Sequence, residues 1–452
     1  MPNHILINKK IPKFKKKIEV SSDKSLSIRA VLLASQAIGI SKISNLLESE
    51  DVISALKAIK KLGIQFKKKG TIYEIHGFGL NGFNPKKNTV IDAGNSGTVG
   101  RLILSLLVKS EKKIKLIGDK SLSKRDFSRI TEPLKNFGVN IKSKGNLLPI
   151  EIQGTNFLRP INYVENKGSA QCKSAVMLAA LNTPGITKIK AKKSRNHTEL
   201  FFKFLNIPIK INSKKKYDLI EVKGLNQFNS FEYIVPGDIS SSAFFIVLTL
   251  LSSNSELIIK KININESRIG IINILNKMNA KIIFKNKKIY KGEKAADIHV
   301  RSTKNLKSIN CPSRLNSSAI DEFLVIFLVA AKAKGMSIFK DLGELNKKES
   351  PRLDIAIRFL KMIGIKVLRK KDNIKIYGNP KLNLNKKYSL KKFLKDHRVF
   401  MMGCVAALTL GGIWHIHEKV YINTSFPEFI KILKKLGAKI NWKKEKILLP
   451  LQ

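Results

Sequence analysis

Six times along the chain, apolar residues recur at the three- and four-residue spacing of an amphipathic helix and then stop at a Gly or Asn. The segments read LKAIKKLGIQFKKKGTIYEIHG, EPLKNFGVNIKSKGNLLPIEIQG, TELFFKFLNIPIKINSKKKYDLIEVKG, INILNKMNAKIIFKNKKIYKG, AIRFLKMIGIKVLRKKDNIKIYG and FIKILKKLGAKINWKKEKILLP. A Gly or Asn at that point suits a left-handed C-cap. The alternating, β-branched residues that follow, folded around a lysine-rich turn, read as a β-hairpin.

A second, apolar helix recurs in the same units, each copy entered through a polar motif. The openings are SSDKSLSIR at Lys24, AGNSGTVGR at Gly97, GSAQCKS at Ala170, PGDISSS at Ile239, SSAIDEF at Asp321 and DHRVFMM at His397. Their starts lie about 70–80 residues apart, too far for a simple solenoid repeat. Each copy has room for two helices and several strands, a βαβαββ-type unit, and three units per domain predict two α/β domains of similar size. Ordinary N-capping accounts for single Ser, Asp and Asn residues at these openings. It does not account for the Lys, Arg, Gln and Asp that accompany them. Helix N-termini carry partial positive charge and free N–H groups, so several facing one cleft would trap an anion.

Composition narrows the picture. At 452 residues the chain is too long for one ordinary core, and 43% hydrophobic residues fit a globular protein. MPNHILINKKIPKFKKK contains no apolar stretch that could serve as a signal-peptide core. The uncharged run Val399 to Trp414 contains three glycines and falls short of the roughly 18 residues a membrane-spanning helix needs. A cytoplasmic protein with no membrane partner is expected. Cys172, Cys311 and Cys404 are odd in number and widely spaced, which fits neither a disulfide framework nor a zinc site.

The balance of 85 basic against 33 acidic residues gives a net charge of +52. Nucleic-acid binding is one reading of such a number. Against it, the lysines spread over the whole length, runs such as Lys15–Lys17, Lys67–Lys69 and Lys214–Lys216 are short, and no aromatic stacking pattern interleaves them. A basic field suits small anionic substrates equally well.

Three motifs bring candidate chemistry. Asp23-Lys24-Ser25 with Arg29 sets a cation, a hydroxyl and a second cation near one helix start, Ser25 and Arg29 sharing a face. Gly94-Asn95-Ser96-Gly97-Thr98 with Arg101 is a glycine-rich loop entering a helix, able to offer N–H groups to an anion, though it lacks the Gly-Lys-Ser/Thr of a Walker loop. Lys347-Lys348-Glu349-Ser350-Pro351-Arg352 precedes an amphipathic helix, with Ser350 read as N-cap and Pro351 as first helical residue. Singly, a tight turn or a surface ion-pair cluster explains each. In series they are far more specific.

From about Lys24 to about Phe429, the stretches DKSLSIRA, LLESEDVISALKAIKKLG, GNSGTVGRL, GDKSLSKRDFSRITEPL, SAQCKSAVMLAALN, SRNHTE, VPGDISSSAFF, IDEFLVIFLVAA, KKESPRL, DHRVFMMGCVAAL and SFPEF follow in one order. They resemble the enolpyruvyl transferases, and within them the 3-phosphoshikimate 1-carboxyvinyltransferase (EPSP synthase) family. The resemblance implies two domains, each an inside-out α/β barrel of three βαβαββ repeats, with the ligand cleft between them. It places residues 22–237 in one domain and 1–21 plus 238–452 in the other.

The implied reaction transfers enolpyruvate from phosphoenolpyruvate to the 5-hydroxyl of shikimate 3-phosphate in aromatic amino-acid biosynthesis, by a monomer without metal or organic cofactor. By the same resemblance, Lys24, Ser25, Arg29, Ser169, Gln171, Arg195, Asp321 and Lys348 surround shikimate 3-phosphate. Lys24, Gly97, Arg125, Gln171, Arg352 and Arg398 hold phosphoenolpyruvate, the two last suited to bidentate anion contacts. Asp321 and Glu349 are the acid–base candidates, assisted by Lys24. Gly97 implies room for glyphosate in the phosphoenolpyruvate pocket.

This chain departs from the family pattern at Ser21-Ser22, where Pro-Gly is usual, at Pro351, where Asp is usual, and at Ala170 and Glu344. None of these removes a proposed catalytic group. The sister reaction on UDP-N-acetylglucosamine calls for Lys-Asn in place of Lys24-Ser25 and for a loop Cys, whereas GDKSLSKRDF has no Cys and offers Arg125. His415 and His417 alternate along one strand without an evident third zinc ligand, so a hydrated strand face is expected there. His397 reads as structural and Cys172 as packing.

Overall fold

A computed structural model describes residues 3–391, 393, 396–417 and 419–444. The chain forms two compact units. One comprises Ser22–Pro236 with Ile289–Glu293, here the 22–236 unit; the other comprises residues up to Ser21, Gly237–Lys288 and Lys294 onward, here the 237–452 unit. The short Ile289–Glu293 segment therefore belongs with the 22–236 unit, apart from the sequence that flanks it.

The repeat is plainest in the strand Thr89–Asp92, helix Gly97–Leu106, strand Ile114–Ile117, helix Ser128–Asn136 and strands Asn140–Ser143 and Ile150–Gln153. The first strand lies parallel to the second, the second pairs antiparallel with the last, and the third takes the far edge. Asn162–Glu165, Ile186–Lys192, Tyr217–Lys223 and Ile209–Ser213 repeat that order. The parallel first pair requires a crossover helix, and the uniformly apolar helix supplies it.

Two sheets exchange their edge strands at the points where the chain passes from one unit to the other. Lys15–Ile18 lies parallel to Glu256–Asn263 but leads into the helix Lys24–Ala34 of the 22–236 unit. Glu232–Ile234 lies parallel to Ile38–Ser44 but leads into the helix Ile239–Leu251 of the 237–452 unit. At these passages Asp23 N donates to Pro236 O (2.8 Å) and Asp238 N donates to Ser21 O (3.0 Å). Ser21 and Ser22, where the family pattern has Pro-Gly, are both buried.

The sixth repeat departs from the expected hairpin. Asn441–Lys444 forms its outer strand, but the second hairpin position is filled by the N-terminal strand Asn3–Ile7, which pairs antiparallel with both Asn441–Lys444 and Gly411–Ile416. The ILLP end of the expected hairpin lies outside the described residues. The fifth sheet is also irregular: single bridges from Lys307 and Asn310 stand in its first-strand place.

In all six amphipathic helices the residue expected to stop the helix does so with positive φ. Gly63, Gly138, Asn206, Asn279, Gly364 and Gly437 have φ between 55° and 105°. This region is open to Gly and tolerated by Asn, and it turns the chain sharply into the hairpin.

Burial separates the two helix types. Ile239–Leu251, Phe323–Lys332 and His397–Leu410 are buried almost all round and pack on one another within the 237–452 core. Gly97–Leu106 packs on Lys24–Ala34 and Ala170–Leu181 in the 22–236 core. Strands such as Ile186–Lys192 alternate exposed and buried positions, as an outer sheet with one solvated face must. Among the described residues, no helix is long and apolar enough to cross a membrane. Cys172, Cys311 and Cys404 are buried free thiols.

Candidate active site

Five of the six polar openings cap their helices. Asp23, Ser96, Ser169, Asp238 and Asp396 each accept a hydrogen bond from a first-turn N–H. The SSAIDEF opening differs. Its helix, Phe323–Lys332, starts after Glu322 without a side-chain cap bond, and Asp321 sits in the turn after the short helix Asn316–Ala319. The Asp321 carboxylate is thus available for other partners.

In the 22–236 unit, capping places Lys24 at the first helical position, where its Nζ donates to Asp51 Oδ2 at 2.7 Å. Arg29, one turn on and buried, is held on three sides. Its Nη1 donates to Ser25 O (3.0 Å), its Nε to Thr198 Oγ1 (2.8 Å) and its Nη2 to Ser174 Oγ (3.0 Å). Thr198 belongs to the SRNHTE stretch, where Arg195 is half-buried. The Ser169 hydroxyl accepts from Cys172 N.

Gln171 joins two openings. Its Nε2 donates to Thr98 Oγ1 (2.9 Å) and its Oε1 accepts from Arg101 Nη1 (2.6 Å). Arg125 Nη2 donates to Asn95 Oδ1 (2.9 Å), and Asn95 in turn donates to Asp119 (2.7 Å). Gly97 lies among these groups. A Cβ there would stand 3.0 Å from Arg101 Nη1 and 3.1 Å from Arg125 Nη1. Lys24, Arg29, Gln171 and Arg125 are therefore each fixed by a polar partner, two of them by partners more than a hundred residues distant or on another repeat.

In the 237–452 unit the focus is Arg352, 1% exposed. Its Nε donates to Asp396 Oδ2 (2.8 Å), its Nη2 to Glu349 Oε2 (2.5 Å) and its Nη1 to Asp321 Oδ1 (3.3 Å). Burial works to lower the Arg352 pKa, but the charges of Asp396, Glu349 and Asp321 outweigh it and hold the guanidinium firmly protonated. Burial likewise raises the Asp396 carboxyl, and the Arg352 charge and hydrogen bond outweigh that effect, leaving it below the usual carboxylate range. Asp321 also faces Lys348 Nζ (3.4 Å) and Arg398 Nη2 (3.8 Å), and its carbonyl accepts from Arg398 Nη1 (3.2 Å). Three carboxylates and three cations thus converge in one unit, an arrangement able to bind an anion and move protons.

Three expectations need correction. Ser350 does not cap the helix that follows: its hydroxyl bonds Asp396 Oδ2 (2.7 Å). The helix begins at Arg352, with Pro351 just outside it, because the Ser350 side chain is already engaged by the buried carboxylate. His415 and His417 do not form a wholly hydrated face, since the buried His4 ring of the N-terminal strand lies 5.1 and 4.8 Å from theirs. Among the described residues no group of three or more His, Cys, Asp or Glu is placed to hold a metal ion.

Several polar residues of these networks escaped the motif reading: Asp51, Ser174 and Thr198. All three lie inside quoted stretches, but nothing in their spacing assigns a partner.

A sequence model of the family "EPSP synthase (3-phosphoshikimate 1-carboxyvinyltransferase)" matches residues 8–433. The 3-phosphoshikimate 1-carboxyvinyltransferase of Ruthia magnifica is 40% identical over 425 residues, covering 94% of this chain and 96% of that protein. The protein of the same name from Zymomonas mobilis is 36% identical over 439 residues, 96% of each. The solved structure of EPSP synthase from Acinetobacter baumannii superposes with a TM-score of 0.86 at 31% identity, over 98% of this chain and 100% of that one. The crystal structure of the enolpyruvyl transferase NikO from Streptomyces tendae gives 0.75 at 14% identity, over 98% and 99% respectively, a likeness of fold alone.

Proposed function

The chain belongs to the EPSP synthase (3-phosphoshikimate 1-carboxyvinyltransferase) family, and from that premise we infer that it transfers the enolpyruvyl group of phosphoenolpyruvate to the 5-hydroxyl of shikimate 3-phosphate, releasing phosphate in the shikimate pathway. The observation that carries the reading to particular atoms is the Asp321–Arg352–Glu349 arrangement, where one buried guanidinium holds two carboxylates.

The 5-hydroxyl loses its proton as its oxygen attacks C2 of phosphoenolpyruvate, and C3 gains a proton to become a methyl group. The tetrahedral adduct then expels phosphate while C3 gives up a proton, which restores the double bond as an enol ether. Asp321 and Glu349 serve these proton transfers, with Lys24 assisting. Arg352, Arg398, Arg125, Lys24, Gln171 and Gly97, which presents no side chain, hold phosphoenolpyruvate. Arg and Lys groups stabilise charge on the departing phosphate. Ser25, Arg29, Ser169, Arg195 and Lys348, together with Lys24, Gln171 and Asp321, hold shikimate 3-phosphate. The bracing of Arg29 by Thr198 and Ser174 supports this assignment, because a fixed guanidinium loses little freedom on binding a phosphate.

The sister transfer to UDP-N-acetylglucosamine is not favoured, since the matched relatives carry the shikimate-pathway name. The enzyme acts as a cytoplasmic monomer in this reading. The test is phosphate release measured with both substrates, with each alone, and with UDP-N-acetylglucosamine replacing shikimate 3-phosphate. Release only with the first pair is expected; release independent of shikimate 3-phosphate would overturn the proposal.

A further inference from the structure

Asp321 and Glu322 are consecutive, yet their carboxylates enter different surroundings. Asp321 faces Lys348, Arg352 and Arg398 through ion pairs of 3.3–3.8 Å, longer than the roughly 2.8 Å of a strong charge-assisted hydrogen bond. Glu322 is 1% exposed, and its Oε1 accepts from Ser240 Oγ. Ser240 Oγ itself accepts from Arg268 Nη2 (2.8 Å), and the same nitrogen donates to Asp238 Oδ1 (3.1 Å), the N-cap of the helix Ile239–Leu251. Arg268 is 2% exposed. The network ties the turn carrying Asp321 to the start of a fully buried helix in another repeat.

A buried carboxylate is costly unless hydrogen-bonded and charge-compensated, and an apolar residue would fill a helix start without that cost. Here the Glu322 carboxylate is hydrogen-bonded by Ser240, whose hydroxyl also meets the buried Arg268 guanidinium, so residues near 238 and 268 brace the turn at 322. Side chains on such supported turns are held in one orientation, and proton-transfer groups lose rate steeply when displaced.

We propose that Glu322 is a positioning residue of the transfer reaction, anchoring the turn so that the Asp321 carboxylate is held toward the Lys348–Arg352–Arg398 cluster. The proposal rests on the reading of Asp321 as an acid–base group. Glu322 touches no reacting atom; it acts through the backbone it shares with Asp321.

Glu322→Gln keeps an acceptor for Ser240 but removes the charge; Ser240→Ala removes the link. Each variant is compared with wild type in steady-state phosphate release from pH 5 to 9, with thermal melts alongside. We expect kcat to fall about tenfold or more while both KM values stay within about threefold. The double variant should be little worse than either single one, because both break a single network. Wild-type kcat in folded Glu322→Gln and Ser240→Ala, or losses confined to KM or melting temperature, would sink this inference alone. A wild-type protein that releases no phosphate with both substrates would sink the transfer reading, and this inference with it.

Discussion

Replacing Gly97 by Ala tests how tightly the guanidinium groups at the glycine-rich opening are set. The added Cβ would lie 3.0 Å from Arg101 Nη1 and 3.1 Å from Arg125 Nη1, against about 3.4 Å for the closest ordinary contact. Each group must retreat by a few tenths of an ångström. Neither retreat is cost-free, because Arg101 Nη1 donates to Gln171 at 2.6 Å and Arg125 Nη2 donates to Asn95 at 2.9 Å. Overpacking and two strained hydrogen bonds together should cost about 1–2 kcal/mol. If the cost falls on phosphoenolpyruvate binding, its KM rises about 5- to 30-fold. Glyphosate, slightly longer than phosphoenolpyruvate and expected in the same place, should lose more affinity than the substrate. Gly100→Ala, one turn along the same helix, is the control: its Cβ would meet Phe127 at 3.4 Å and Ala93 at 3.5 Å, ordinary contacts. The assay is steady-state phosphate release over a grid of phosphoenolpyruvate and glyphosate concentrations, for wild type and both variants. An unchanged KM and inhibition constant in Gly97→Ala, or equal shifts in both variants, would refute the reasoning.

Two further outcomes follow from the 237–452 unit. Asp321→Asn and Glu349→Gln should each lower kcat by roughly 10²-fold or more with circular dichroism unchanged, and near-normal turnover in both would remove them from the acid–base role. Asp396→Asn leaves the buried Arg352 without its best partner and should cost about 3–5 kcal/mol in urea unfolding at neutral pH. The folded Asp396 pKa is depressed, so its stabilisation is present above the unfolded value of about 3.9 and fades as pH falls through the folded one. The stability gap between wild type and variant should therefore shrink in acid, and a gap independent of pH would show that the lost charge is not the cause.

The repeat was legible because each copy announces itself locally. Helical spacing followed by Gly63, or by Asn206, states both where a helix ends and that the chain turns left-handed there. Partners were not legible. Asn3–Ile7 reads as a short strand, yet nothing in NHILI says that it occupies a hairpin place more than 400 residues on. A period of two specifies a face, and the neighbour is chosen by tertiary packing. The same limit applies at the candidate site. Residue types such as Arg29 and Arg352 stand out in motifs, but the groups that brace them, Thr198 and Asp396, lie 169 and 44 positions away. Pro351 shows a third limit: Ser-Pro reads as cap and first turn until a buried Asp396 claims the serine hydroxyl.

These bracing contacts bear on the meaning of the charge. A net +52 says little about where an anion binds, because most of the lysines are solvated, as Lys431 is with its side chain 84% exposed. Lys24, Arg29, Arg125 and Arg352 differ from such lysines in that each is buried or half-buried and donates to a fixed oxygen. A solvated lysine can raise the local concentration of phosphorylated substrates, an effect that salt screens. A cation already held by Asp51, Thr198, Asn95 or Asp396 is set in place beforehand, so less reorganisation is needed as charge develops in the reaction. In the proposed reaction the surface charge and the fixed cations would therefore act on different stages, encounter and chemistry, and the fixed set has the rigidity that transfer of a charged group demands.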